Sequence, residues 1–235
     1  LIWIITPLSV SAVLGYLIAK KIEMTSMPQM VSIFNGLGGL SAVLLSFAEI
    51  NKWIIFPDAY EIIVVVVLLS SLFIGSVAFT GSLLAFAKLD GYKWSEKLTL
   101  PFQHIINIVF VIMILVCSYL FISSSDVTYL YLIIFLSFLY GIFFVAPIGG
   151  ADMPVVISLL NSFTGITAAL TGIIFGNIVM LLGGILVGAA GTILTVLMCN
   201  AMNRSLLNVI IGGFSSSGPS NENKEQGDIK EISDS

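Results

Sequence analysis

The chain has 235 residues, 58% of them hydrophobic and 9% charged, with a mean hydropathy of +1.10 and a formal net charge of −4. A soluble domain carries roughly 25% charge, so the composition excludes one and indicates an integral membrane protein. The nine basic residues form no patch, which argues against nucleic acid as a partner. Five of the thirteen acids lie in the last fourteen residues, so the net charge says little about partners.

The first apolar run, Leu1–Ala19, has no positively charged segment before it and no small-residue cleavage site before Lys20. It reads as a membrane span, not a signal peptide, and the chain is expected to be a piece of something longer. Six further runs are long enough to cross a hydrocarbon core, which takes about 20 residues. They are Met27–Ala48, Ile62–Ala87, Ile105–Ile122, Thr128–Ala146, Met153–Ile174 and Ile178–Cys199. None alternates as a barrel strand would, and in lipid a helix satisfies such a run's backbone internally. The expected fold is therefore all-α, with about seven transmembrane helices.

Alternate crossings place Lys20, Lys21, Lys88, Lys93, Lys97 and Arg204 on one side and leave Lys52 near a span on the other. By the positive-inside rule the Lys20 side is inner. The amino terminus is then expected outside and the carboxyl terminus inside.

Part of the second span returns in the sixth. Met27–Leu44 reads MPQMVSIFNGLGGLSAVL and Met153–Leu170 reads MPVVISLLNSFTGITAAL. Without gaps, Met-Pro, Ser32/Ser158, Asn35/Asn161, Gly39/Gly165, Ala42/Ala168 and Leu44/Leu170 coincide. Both copies start on the inner side, so the repeat is parallel and differs from the inverted repeats of many transporters. Each Met-Pro suits a helix start, where proline lacks only an N–H that is orphaned anyway. Ser26 and Asp152 precede the two copies as N-cap candidates.

Buried amides in spans mark function or interhelical bonds. Asn161, Gly165, Ala168 and Gly172 share one helix face, as do Asn35, Gly39 and Ala42, so each amide is expected on the close-packed side of its helix. Thr164 lies one turn beyond Asn161. Ser82 is a weaker candidate, because membrane serines often bond their own helix. The spacings Gly172-x-x-x-Gly176 and Gly184-x-x-x-Gly188 predict close helix packing. Asp152 stands at the inner foot of the helix carrying Asn161, as a cap or as a functional acid. No carboxylate or histidine lies at mid-depth, and His104 reads as interfacial. Without a titrating group in the membrane, the segment alone is a poor proton pump. There is no P-loop, no dinucleotide fingerprint, no CxxC and no metal-spaced cluster, so no cofactor or metal site is expected here. Cys117 and Cys199, in separate runs, read as small buried hydrophobes rather than a disulfide or metal pair. Past Gly213 the composition turns polar and acidic. Residues 1–214 are read as the membrane domain and Ser215–Ser235 as a disordered linker.

GGADMPVVISLLNS at Gly149–Ser162, MCNAMNRS at Met198–Ser205 and VIIGGF at Val209–Phe214 closely resemble the membrane domain of proton-translocating nicotinamide nucleotide transhydrogenases. AKKIEMTSMPQMV at Ala19–Val31, FTGS at Phe79–Ser82 and LPFQH at Leu100–His104 resemble it too, so the likeness covers nearly all of Leu1–Phe214 in order. It implies the membrane part of the beta subunit, or of a fused chain, in an enzyme that reduces NADP⁺ with NADH while protons move inward. NAD(H) and NADP(H) would then bind outside this segment. The implied partners are the bilayer, an NADP(H) domain beyond the linker and an NAD(H)-binding alpha subunit with its membrane helices, the whole as a homodimer. The implied membrane is bacterial plasma or mitochondrial inner. Asn161, Thr164 and Ser82 match family positions on the proton path. Asp152 matches an acid coupled to the NADP(H) domain, and Arg204, in the MNRS string, is grouped with it. Asn35 stands where one branch has the titrating histidine; other members carry that histidine outside this segment. Two alternatives are a secondary transporter for a small polar solute and a structural anchor for an inner domain.

Overall fold

The computed structural model describes residues 2–57, 60–96, 98 and 102–203. Seven long apolar helices and one short one follow in order. They are α1 (Ile2–Lys21), α2 (Met27–Ile55), α3 (Ile62–Leu89), the short α4 (Lys93–Glu96), α5 (Gln103–Ser124), α6 (Val127–Val145), α7 (Met153–Ile174) and α8 (Ile178–Ala201). Among the described residues there is no strand. The expected all-α membrane architecture holds, and each span falls within a few residues of its expected bounds except α2. That helix continues past Ala48 to Ile55. Glu49 and Lys52 pair across one turn, and Asn51 Nδ2 donates to the Phe47 carbonyl, so the polar residues there extend the helix rather than end it. The last turn closes at Phe56, whose N–H donates to Lys52 O, immediately before Pro57.

Helix α3 lies at the centre and packs against α2, α6 and α7; α5 joins through α6, and α8 through α7. Toward one end of the bundle Ile50, Trp53, Leu68, Leu72, Phe121 and Leu130 form a core shared by α2, α3, α5 and α6. Toward the other, Leu84, Val145, Met153, Val156 and Leu160 join α3, α6 and α7. Gln103, buried at the start of α5, donates to the Phe143 carbonyl on α6 at 2.8 Å. Helix α1 has no buried residue.

The two Met-Pro copies begin alike. A single 3₁₀ turn, Met24–Ser26 or Gly150–Asp152, feeds each helix, with proline in its first turn. Ser26 and Asp152 occupy the N-cap positions, but neither side chain makes a cap hydrogen bond. Both residues already turn, with φ/ψ of −96°/4° and −92°/0°, whereas a capping side chain needs the extended conformation to reach the next N–H groups. True side-chain caps occur elsewhere. Asp126 accepts from Thr128 N at 2.9 Å before α6, and Asn177 from Met180 N at 3.1 Å before α8.

Two antiparallel seams are drawn tight by glycine. A Cβ on Gly39 would stand 2.8 Å from Gly75 O and 2.9 Å from Phe79 N, so α2 and α3 touch backbone to backbone. Gly165, Gly184 and Gly191 do the same between α7 and α8. The expected Gly184/Gly188 packing is therefore present, but Gly172/Gly176 is not a packing pair. Gly172 meets Leu181, while Gly176 has φ +60° and forms the turn after α7 with open space around it.

Candidate functional site

Helix α2 brings Ser32, Asn35 and Gly39 to one face by three-and-four spacing, and the Gly39–Gly75 contact holds α3 against that face. Asn35, only 7% exposed, donates from Nδ2 to Ser82 Oγ at 2.9 Å. Ser32 Oγ donates to the Ser82 carbonyl at 2.7 Å, and both serines are fully buried. Asn35 Oδ1 is buried with no hydrogen-bond partner. An orphaned buried acceptor costs about 1–3 kcal/mol, so this carbonyl is primed to take a proton donor. Ser82 Oγ therefore bonds across the seam and not to its own helix, and is a stronger candidate than its sequence context indicates.

Asn161 does not join Asn35, nor does it sit in the close-packed seam. Gly165 and Gly172 do face α8, but the seam's polar positions are taken by Ser158 and Ser162. Ser158 Oγ donates to Gly191 O at 3.1 Å, and Ser162 Oγ donates to Gly188 O at 3.0 Å and lies 3.0 Å from Thr192 Oγ1. Asn161 is half-buried instead at a cleft of about 370 Å³ between the start of α2 (Met27, Pro28, Val31), α7 (Pro154, Ile157, Ser158) and the end of α8 (Leu194, Met198). Among the described residues its amide makes no hydrogen bond. Four-residue spacing puts Asn161 in line with Gly165, but a helix face spans more than one neighbour. Asn161 lies at the cleft where α2, α7 and α8 meet. Thr164 Oγ1 donates to Leu160 O at 3.1 Å, while its methyl would meet a Cβ on Gly38 at 3.0 Å. Thr164 thus stands at the α2–α7 contact, with its hydroxyl bonded to its own helix and not to Asn161.

Ser32 and Ser158 are the members of the repeat that sequence reading left without a role. Each ties its helix to the antiparallel neighbour that pairs with it, α3 for Ser32 and α8 for Ser158, and Gly39 and Gly165 admit those same neighbours. The repeat is a helix-pairing device at these positions. Its amides differ: one is bonded in a seam, the other opens on a cleft.

Asp152, 9% exposed, lies in the α6–α7 connection. Lys88, at the end of α3, binds that connection. Its Nζ donates to the carbonyls of Val145 (3.2 Å), Ala146 (2.5 Å) and Ile148 (2.6 Å). A cation on the last carbonyls of α6 also suits the helix dipole. At the far end of α2 the Glu49 carboxylate, 7% exposed, accepts from Lys52 Nζ at 2.5 Å and Tyr60 OH at 3.1 Å. Partial burial and that bond to Glu49 both push the Tyr60 phenol up, so it remains a donor. Arg204 and Ser215–Ser235 lie outside the described residues, as does the side chain of His104. Cys117 and Cys199 are free and buried, as expected. Among the described residues no three His, Cys, Asp or Glu side chains gather as metal ligands. The site thus offers amides and hydroxyls, which orient water and relay protons but do not themselves change charge near neutral pH.

Residues 1–235 match the family model described as NAD(P) transhydrogenase beta subunit. The chain is 39% identical over 224 residues to NAD(P) transhydrogenase subunit beta of Rhodospirillum rubrum, covering 92% of this chain and 47% of the relative. The same protein from R. rubrum strain ATCC 11170 matches equally. The chain therefore spans about half the length of the curated relatives it matches.

Proposed function

The chain belongs to the NAD(P) transhydrogenase beta subunit family, and from that premise we propose that it is the membrane proton-translocating domain of such an enzyme. In this reading, inward proton movement through α2, α3, α7 and α8 is coupled to hydride transfer from NADH to NADP⁺. The nucleotides bind outside the described helices, in an NADP(H) domain on the Lys20/Lys88 side and in an NAD(H)-binding alpha subunit. Asn35, Ser82, Asn161 and Thr164 are the polar wall of the path. Asp152, in the connection gripped by Lys88, and Arg204 link that wall to the NADP(H) domain. The proton-carrying side chain comes from elsewhere in the enzyme, and the functional unit is a dimer.

The observation that carries the reading is the Asn35 amide, held by Ser82 at 2.9 Å with its carbonyl oxygen buried and unpartnered. Most buried side-chain polar atoms have a partner, and of the buried amide oxygens without one this is the one whose nitrogen is bonded across the α2–α3 seam. Family membership leaves a solute transporter without support. Asn35→Leu in the reconstituted full enzyme tests the reading. Coupled hydride transfer and proton pumping are expected to fall together by about a hundredfold, the lower end for a lost proton-handling group. Pumping at the unaltered rate would remove Asn35 from the path.

A further inference from the structure

Along α2, the buried face runs Ser32, Asn35, Gly39, Ala42, Ser46, Glu49, Trp53. It is polar at both ends and small in the middle. On α3 the facing residues include Ser82, Gly75 and Ser71. The antiparallel register is set by Asn35 on Ser82 and Gly39 on Gly75. Ser46 lies eleven residues beyond Asn35, and Ser71 eleven before Ser82. Eleven residues are about three helical turns, so Ser46 and Ser71 return to the same seam at the same level, beyond the Gly39–Gly75 contact.

These two serines behave unlike their neighbours. Ser41, Ser70 and Ser76 each donate to the carbonyl four residues earlier in their own helix. Ser46 and Ser71 are 1% and 0% exposed, and both hydroxyls are buried without a hydrogen-bond partner. Two unbonded hydroxyls at one level of one seam are the polar lining that a bridging water requires. One turn beyond Ser46 stands Glu49. With Asp152 it is one of two buried acids among the described residues, near the opposite end of the bundle.

Building on the proton-path reading above, we propose that Ser46, Ser71 and Glu49 form a second station of that path, with Glu49 as the proton-exchanging group on the side away from Asp152. A proton from the aqueous phase adds to the Glu49 carboxylate, giving the neutral acid. The acid then passes it along the Ser46 and Ser71 hydroxyls, each releasing one proton as it takes another, to the proton-carrying side chain supplied from elsewhere in the enzyme, and the carboxylate is regenerated. The Gly39–Gly75 contact, with no room for a methyl group, separates this station from Asn35 and Ser82. The charged and titratable groups facing Glu49 are Lys52 on its own helix and Tyr60 on the connection. Helices α3 and α7 bring no titratable side chain to that end, and Glu61, which precedes α3, is exposed; α5 and α6 also pack there, through Trp53–Phe121 and Phe47–Tyr131, and add Cys117, Tyr129 and Tyr131. Lys52 is 61% exposed, so its ammonium can leave Glu49 for solvent without being stranded.

The test uses the full transhydrogenase in proteoliposomes, with assembly checked by size exclusion and thermal midpoint. Glu49→Gln keeps the shape and the Tyr60 contact but cannot exchange a proton. Coupled pumping is expected to fall by about a hundredfold, with Glu49→Asp restoring most of it and shifting the pH profile. Infrared difference spectra are expected to lose a protonated-carboxyl band in Glu49→Gln. Ser46→Ala/Ser71→Ala, which leaves Glu49 intact, is expected to slow pumping without moving the pH profile. Wild-type pumping in both Glu49→Gln and the double serine variant, alongside impaired Asn35→Leu, overturns this station and leaves the path reading standing. Unimpaired pumping in Asn35→Leu and Asn161→Leu overturns the path reading itself.

Discussion

Asn35 and Asn161 occupy equivalent positions of one repeat and do different things. Asn35 is locked to Ser82 on α3, and its worth to the fold is measurable. Ser82→Ala leaves the amide with no partner at either end, at a cost of about 1–3 kcal/mol. The Asn35–Ser82 coupling itself, from a double-mutant cycle, is expected near the average of about 0.6 kcal/mol for membrane-buried hydrogen bonds. Denaturant unfolding in detergent measures both, and a coupling of zero would dissolve the pair. Asp126 illustrates a pH dependence at the same scale. Bonds from the Thr128 backbone and side chain hold its carboxyl below the ordinary value. Its contribution is therefore present above the usual carboxylate range and lost as pH falls through the lowered one. The stability gap between wild type and Asp126→Ala is expected to be widest near neutrality and to close in acid. The pairing of Asn35 with Ser82 was not legible from one chain, because it depends on the register of α2 against α3, which no local pattern states. The role of Asn161 was half legible. Its spacing from Gly165 placed it on the close-packed side, but it lies half-buried at a cleft, because its surroundings depend on how α2 and α8 both pack against α7.

At the scale of the helix, the repeat is explained by pairing. Serine at the first seam position and glycine one to two turns on let α2 close on α3 and α7 close on α8. Gly39→Ala would push a methyl into backbone atoms that no rotamer can move, and overpacking of this kind costs about 1–3 kcal/mol. Gly183→Ala, whose new Cβ meets nothing within 4 Å, is the matched control; it is expected to be neutral or stabilising by helix propensity. Equal thermal midpoints for the two variants would contradict the seam. Helix number and most boundaries were readable, because a run of about 20 apolar residues has one stable form in lipid. The overrun of α2 was not. Glu49, Asn51 and Lys52 look like a terminus in composition, yet the ion pair and the Asn51 bond absorb them into the helix.

At the scale of the whole molecule, α1 stands with no buried residue, and α8 exposes much of its length apart from the α7 seam. Those surfaces fit an assembly in which this chain is about half of its relatives' length. The orientation proposed for that assembly is testable by single cysteines and an impermeant maleimide. A cysteine at Tyr92 is expected to react from the inner side and one at Ser125 from the outer; the reverse would invert the path and place Asp152 away from the NADP(H) domain. The most direct measurement follows proton pumping and NADH-to-NADP⁺ hydride transfer side by side in the reconstituted full enzyme carrying Asn161→Leu. Pumping and coupled hydride transfer are both expected to collapse while nucleotide binding is unchanged. Normal pumping with normal coupling would contradict the proton-path reading.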